Sequence, residues 1–231
     1  MKYFASAFLI VVISFLGRSQ TYEIGALIGG TNFIGDVGKT SFIAPKSLGY
    51  GVIAKWNRSP RHAFRISVIN ANIEGNDADS NESRRRERGY SFTNNVTEFS
   101  GGIEYTFWEY NIYNGRPVST PYLYTGLTYI LYKAAFINPV SKDFKDYDQA
   151  GAIAIPMVLG YKAKLSTEFA ISFEIGARYT FTDDLDGSNP VKGLSNSENL
   201  KFGNVNNNDW YVFTGVNLNF TFGRKPCYCN F

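Results

Sequence analysis

The feature that most constrains this chain is an alternation of apolar and polar residues sustained from 168 to 181. One face carries Phe169, Ile171, Phe173, Ile175, Ala177, Tyr179 and Phe181; the other carries Glu168, Ala170, Ser172, Glu174, Gly176, Arg178 and Thr180. A period of two is that of a half-buried β-strand, and the run far exceeds the length of about five or six residues usual in soluble sheets. The segment 209–223 repeats the pattern, with Trp210, Val212, Val216, Leu218, Phe220 and Phe222 against Asp209, Tyr211, Gly215, Asn217, Asn219 and Thr221. So does 97–108, with Phe99, Ile103, Tyr105 and Phe107 against Glu98, Ser100, Gly102, Glu104 and Thr106. Weaker alternation marks 22–31, 48–57, 61–72, 121–132 and 152–163, which brings the count to eight.

Eight tilted strands of at least about 9 to 11 residues cross an apolar bilayer and close without an edge. The expected fold is therefore all-β: a closed, eight-stranded antiparallel outer-membrane barrel over 20–223, plugged by side chains. The connections agree. Links 32–47, 73–96, 133–151 and 182–208 are long, 109–120 is medium, and 58–60 and 164–167 are short. In small barrels with a periplasmic N-terminus the first, third, fifth and seventh links face outward and are the longer ones. Asn57-Arg58-Ser59-Pro60 and Leu165-Ser166-Thr167 supply turn chemistry for the short ones.

Energetics set the register. Arg178 facing lipid near the midplane costs about 2–4 kcal/mol, with further costs for Glu98, Glu104 and Glu174, whereas the aromatic face lies in lipid without penalty. The charged face is the interior. A barrel of this size is filled by its own side chains, so Glu23, Lys55, Arg65, Glu98, Glu104, Glu174 and Arg178 are expected to form a salt-bridged plug, and no pore. A soluble barrel of the lipocalin type would invert the two faces. Against it stand glycines 49, 51, 101, 102, 160, 176 and 215, most of them on the polar face where a crowded lumen needs small residues. Trp56, Trp108, Tyr110, Tyr122, Tyr179 and Trp210 near strand ends read as interfacial girdles.

The two ends differ from the middle. Lys2, an apolar run from Tyr3 to Leu16 and then Gly17-Arg18-Ser19 predict a signal peptide over 1–19, cut after Ser19. The run is too short to span a bilayer as a helix, and no cysteine follows it to take a lipid. Cys227 and Cys229, in an expected periplasmic tail over 224–231, are too close in sequence to bond to each other without strain. They are either idle thiols or, in an oxidising periplasm, a bond to a partner chain.

The net charge of +3 is small, and an exported chain has no nucleic-acid partner. His62, the one histidine, has Ser59 and Ser67 nearby in sequence, but beside Arg61 at a strand start it reads as an interfacial residue and not a catalytic base. Asp77-Ala78-Asp79-Ser80-Asn81 resembles the opening of a calcium loop, yet Glu82 stands where glycine is needed and Arg88 where the bidentate carboxylate belongs. That run and Asp183-Asp184-Leu185-Asp186-Gly187 are expected to be solvated loops. Arg84-Arg85-Arg86-Glu87-Arg88, in an outer loop, either meets lipid phosphates or balances Asp77, Asp79 and Glu82. No cofactor, metal, small-molecule substrate or catalytic residue is indicated.

A set of motifs spans nearly the whole mature chain in order. They are Glu23-Ile24-Gly25; Gly29-Gly30-Thr31-Asn32-Phe33-Ile34-Gly35-Asp36; Lys55-Trp56-Asn57 with Pro60-Arg61; Thr120-Pro121-Tyr122-Leu123-Tyr124 with Gly126; and Glu174-Ile175-Gly176 running into Arg178-Tyr179-Thr180-Phe181-Thr182-Asp183-Asp184-Leu185-Asp186. In these the chain resembles the PorG family, small outer-membrane barrels of the type IX secretion system of Bacteroidetes. The run from Arg178 to Asp183 is the most specific. Where the family reads Asp-Tyr-Leu-Asp-Asp, this chain has Asp183-Asp184-Leu185-Asp186-Gly187, so the loop tip differs. The resemblance implies a non-enzymatic part of a protein-export machine, holding a periplasmic ring of a lipoprotein and its partner at the outer membrane. A tail carrying Cys227 and Cys229 would suit such docking. A general small barrel of the OmpA-like kind, serving adhesion or envelope integrity, is the competing reading, and a lipid-modifying barrel enzyme a third.

Overall fold

The structure, a computed structural model, describes residues 21–113, 116–204 and 206–223; the expected signal peptide and the tail with Cys227 and Cys229 lie outside the described residues. Eight strands follow one another: β1 (Thr21–Ile34), β2 (Ser47–Asn57), β3 (His62–Asn76), β4 (Ser91–Thr106), β5 (Ser119–Ile137), β6 (Phe144–Lys164), β7 (Phe169–Thr180) and β8 (Trp210–Gly223). Each pairs antiparallel with the next and β8 pairs with β1, closing the barrel. One short helix, α1 (Ser83–Arg88), lies between β3 and β4 and ends on Gly89 at φ 66°, a left-handed conformation that glycine adopts at no steric cost.

The pleat sorts the two faces as the alternation demands. Ile24, Ile28, Val52, Ile66, Leu127, Leu159 and Phe173 face outward and exposed, while Glu23, Lys55, Arg65, Glu98, Glu104, Lys162, Glu174 and Arg178 face inward and buried. An apolar exterior on a closed barrel with a charged interior is the arrangement of an outer-membrane barrel and the inverse of a lipocalin. Aromatic pairs gather towards the rims: Trp56 against Phe64 with centroids 5.3 Å apart, Phe169 against Phe220 at 5.4 Å, and Tyr179 against Trp210 at 4.7 Å.

Two links depart from expectation. The fifth is not a long loop over 133–151 but a turn over 138–143, because β5 and β6 run on past the barrel wall as a projecting hairpin with a register shift between Ala134 and Ala135. Beyond the bilayer the two faces of a strand no longer see lipid and lumen, so the alternation that marks a barrel wall fades there. The connection from β4 to β5 folds back under the barrel. The Tyr110 amide donates to the Pro60 carbonyl at 2.9 Å, and Tyr110 and Ile112 pack on Ala170 to stop that mouth.

Candidate functional site

The lumen is crossed by three ion-paired groups. Arg65 on β3 donates two hydrogen bonds to Glu174 on β7, at 2.8 and 2.9 Å, in the fork geometry that suits guanidinium and carboxylate. Tyr122 on β5 donates a third to Glu174 at 2.8 Å, and Arg65 lies over the Tyr124 ring at 4.5 Å. Glu104 on β4 is held between Lys55 and Lys162, each 2.8 Å away. Arg178 on β7 grips Glu98 on β4 at 2.9 and 3.1 Å, and the Tyr211 hydroxyl donates to the same carboxylate at 2.7 Å. These charges are desolvated on both sides, so each needs its partner: breaking such a pair costs about 3–5 kcal/mol.

Apolar layers complete the filling. Leu27, Ile53, Ile69, Ala71 and Phe213 pack in the middle of the barrel. Towards the long-loop end a larger cluster includes Phe33, Ile73, Phe92, Ile130, Tyr132 and Leu185. The filling is thus ionic and apolar by turns.

The long connections form a built cap in place of solvated loops. Asp77 is fully buried; its carboxylate accepts from the Gly38 and Tyr90 amides at 2.9 and 3.0 Å and from Arg88 at 2.8 Å. Asp186 accepts from the Asp36 and Val37 amides at 3.0 and 3.1 Å, which ties the first long connection to the last. Asp209 accepts from the Leu185 amide at 2.9 Å, and Asn94 donates to the Leu185 carbonyl at 2.9 Å, so Leu185 is pinned down into the apolar cluster. Arg85 donates to the Gly35 and Gly38 carbonyls at 2.9 and 3.0 Å, and Arg86 to that of Ser80 at 2.7 Å. Of the basic run, these two and Arg88 staple loops together.

The cap is electrostatically uneven. Burial, with the charges of Asp186 and Asp36, pushes the Asp183 carboxyl up to about 7. Burial and the charges of Asp186 and Asp183 push Asp184 up to about 8. Asp209 is raised well above the usual range, chiefly by burial and then by Asp186 and Asp183.

Of the seven interior residues read from the sequence, Lys55, Arg65, Glu98, Glu104, Glu174 and Arg178 meet in these pairs, whereas Glu23 stands apart: it accepts from Asn57 at 2.7 Å and takes no ion pair among the described residues. Sequence reasoning missed Lys162, which shares the inward face of β6 with Gly160; the alternation over 152–163, carried through position by position, puts it there. It also missed the phenols of Tyr122 and Tyr211 as donors. His62 sits at the exposed start of β3 with its ring nitrogen 3.2 Å from the Ser59 hydroxyl and its ring against Tyr105.

The sequence profile of one family matches residues 2–231. The chain belongs to that family, described as Domain of unknown function (DUF6089). No curated protein matches this DUF6089 chain. Among solved structures it is similar to the N-terminal β-barrel domain of Pseudomonas aeruginosa OprF, with 14% identity, 89% of this chain and 98% of that one covered, and a TM-score of 0.45. It is similar also to Ail, the attachment invasion locus protein of Yersinia pestis, in complex with the heparin analogue sucrose octasulfate, with 10% identity, 89% and 100% covered, and a TM-score of 0.48. A third is a major outer membrane protein from Thermus thermophilus, with 13% identity, 89% and 100% covered, and a TM-score of 0.48.

Proposed function

We propose that this protein is a non-enzymatic scaffold of the bacterial outer membrane, which passes nothing through its lumen and acts through what it holds at its two ends. The observation that carries this reading is the filled interior, in which Arg65–Glu174, Lys55–Glu104–Lys162 and Arg178–Glu98 bridge opposite walls between apolar layers. Its apolar belt takes outer-membrane lipid as neighbour, its long connections face outward and its termini the periplasm.

The broader form of this role is that of a small envelope barrel serving adhesion or integrity through its outer cap. A cap stapled by buried carboxylates and arginines presents a fixed surface, which favours recognition over a mobile-loop role. The narrower form is an anchor of the type IX secretion machine, holding a periplasmic ring-forming lipoprotein and its partner. The resemblance to the PorG family supports it, and the most specific of the shared runs, Arg178 to Asp183, ends in the buried cap. In that form a disulfide from Cys227 or Cys229 tethers the ring.

Deleting the gene separates the two. Loss of protein export supports the anchor, and a leaky or non-adhering cell with normal export supports the envelope barrel; a cell unaltered in both refutes the scaffold role. The tether predicts a heavier species on a non-reducing gel that disappears when both cysteines become serine, and unchanged bands in that variant rule it out.

A further inference from the structure

Five carboxylates of the cap lie together without an ion-pair partner among the described residues. Asp36 follows β1, Asp183, Asp184 and Asp186 lie in the connection from β7 to β8, and Asp209 precedes β8; burial leaves Asp184 and Asp186 no solvent exposure at all. The nearby cations are engaged elsewhere. Arg88 holds Asp77, Arg85 reaches Glu82 and two backbone carbonyls, and Lys192 pairs with Asp148 while relieving only part of the charge at Asp184.

Within this cluster two acids with unsatisfied oxygens, Asp183 and Asp209, face one cavity. Asp36, Asp183 and Asp209 line a cavity of about 370 Å³, together with Tyr179, Trp210 and the Asn206–Asn208 segment, and Arg85 reaches its edge. Asp183 is 8% exposed and Asp209 1%, yet both carboxylate oxygens of Asp183 and Oδ1 of Asp209 have no hydrogen-bond partner. Asn189 approaches Asp183 without making a hydrogen bond of ordinary geometry. Asp77 and Asp186 in the same cap are satisfied by backbone amides, whereas Asp184, which does not line the cavity, shares the shortfall with both its oxygens unpartnered. A desolvated carboxylate with nothing donating to it either takes up a proton or faces a cation.

We propose that this cavity binds a hard divalent cation of the calcium class, with Asp183 and Asp209 as its direct carboxylate ligands. Among the described residues no three acidic side chains converge on one ion-sized point. The carboxylates therefore supply two ligands of the about six to eight oxygens such an ion takes, and water with the amide oxygens of the Asn206–Asn208 segment supplies the rest. The ion joins the two ends of the connection from β7 to β8, and its charge offsets the mutual repulsion of the five acids.

The test uses the full chain folded in lipid nanodiscs, with terbium as the probe for a calcium site. Trp210 and Tyr179 line the cavity, so terbium bound there is excited through them. The expected result is sensitised emission that calcium displaces, that dims in Trp210→Phe while remaining calcium-sensitive, and that is lost in the Asp183→Asn/Asp209→Asn double variant. Emission undiminished in the folded double variant places the ion elsewhere and overturns the proposal. Should the double variant fail to fold, calorimetric titration of the unaltered chain with calcium in alkaline buffer decides: saturable heat together with the Trp210→Phe dimming supports the site, no heat shows the acids to be held by protons instead, and heat without dimming places the ion elsewhere; either of the last two overturns the proposal.

Discussion

Tyr122 reaches Glu174 by passing over Gly160. The three lie side by side across adjacent strands, Tyr122 paired with Gly160 and Gly160 with Glu174, and the phenol donates to the carboxylate at 2.8 Å. A Cβ at position 160 would sit 2.3 Å from the Tyr122 ring, so glycine is what leaves room for the bond. Gly160→Ala is expected to displace the ring and destabilise the barrel by about 1–3 kcal/mol, the usual cost of overpacking. Urea unfolding in lipid vesicles measures it; an unchanged midpoint means the ring has another place to go.

Arg65 and Glu174 together test the character of the plug. Glu174→Ala leaves a buried guanidinium with Glu104, 3.9 Å away, as its one remaining ion-pair acid among the described residues, and is expected to cost about 3–5 kcal/mol. Replacing both residues with apolar ones of similar volume, Arg65→Met with Glu174→Leu, removes the uncompensated charge and should be less damaging than the single truncation. A double variant worse than the single one would show that the pair specifies the barrel instead of merely filling it.

The alternation over 168–181 announced the barrel wall because each face of that strand meets one environment, lipid or lumen, along its whole length. The outward ends of β5 and β6 were not legible, since Lys133, Asp146 and Asp148 face solvent there while Ala134, Ile137 and Ala150 pack on the cap, so no face of the hairpin meets lipid or lumen. Burial of Asp184 and Asp186 gave no local sign: loop acids are read as solvated, and what holds Asp186 inside is its capture by the Asp36 and Val37 amides, distant in sequence. The one hint was Leu185, an apolar residue set between acids, which the structure places wholly inside the cap. Glu23 was assigned to the ion network by its face alone, and facing inward does not supply a cation within reach.

The cap should respond to pH in the absence of divalent cations. Asp183 and Asp184 have folded-state values of about 7 and 8 against an ordinary 3.8, so the folded cap binds more protons than the unfolded one between these limits. Stability of the cap therefore falls as pH rises through that window and is greatest below it. Hydrogen exchange of the Asp36, Val37 and Leu185 amides in chelator should quicken from pH 5 to pH 8 by more than the intrinsic base-catalysed increase. A rate that follows the intrinsic change alone would contradict the linkage.

Arg88 joins the helix α1 to Asp77 and to the Asp36 carbonyl, with its guanidinium 5.0 Å over the Tyr90 ring and 4.9 Å over Phe202. Arg88→Ala leaves the fully buried Asp77 carboxylate with backbone donors only. The expected outcome is a barrel that folds with the same gel mobility, heated and unheated, as the unaltered chain but whose long connections are cut by protease several times faster. Equal cleavage rates would mean that the amides alone hold the cap.

The central claim is that the lumen is closed, and conductance tests it most directly. Folded protein reconstituted in a planar bilayer is predicted to give no stable single-channel steps at either polarity, since ion pairs and apolar layers fill the barrel from wall to wall. Reproducible ohmic steps, scaling with salt concentration and abolished by heat denaturation before reconstitution, would contradict the account and make the protein a channel.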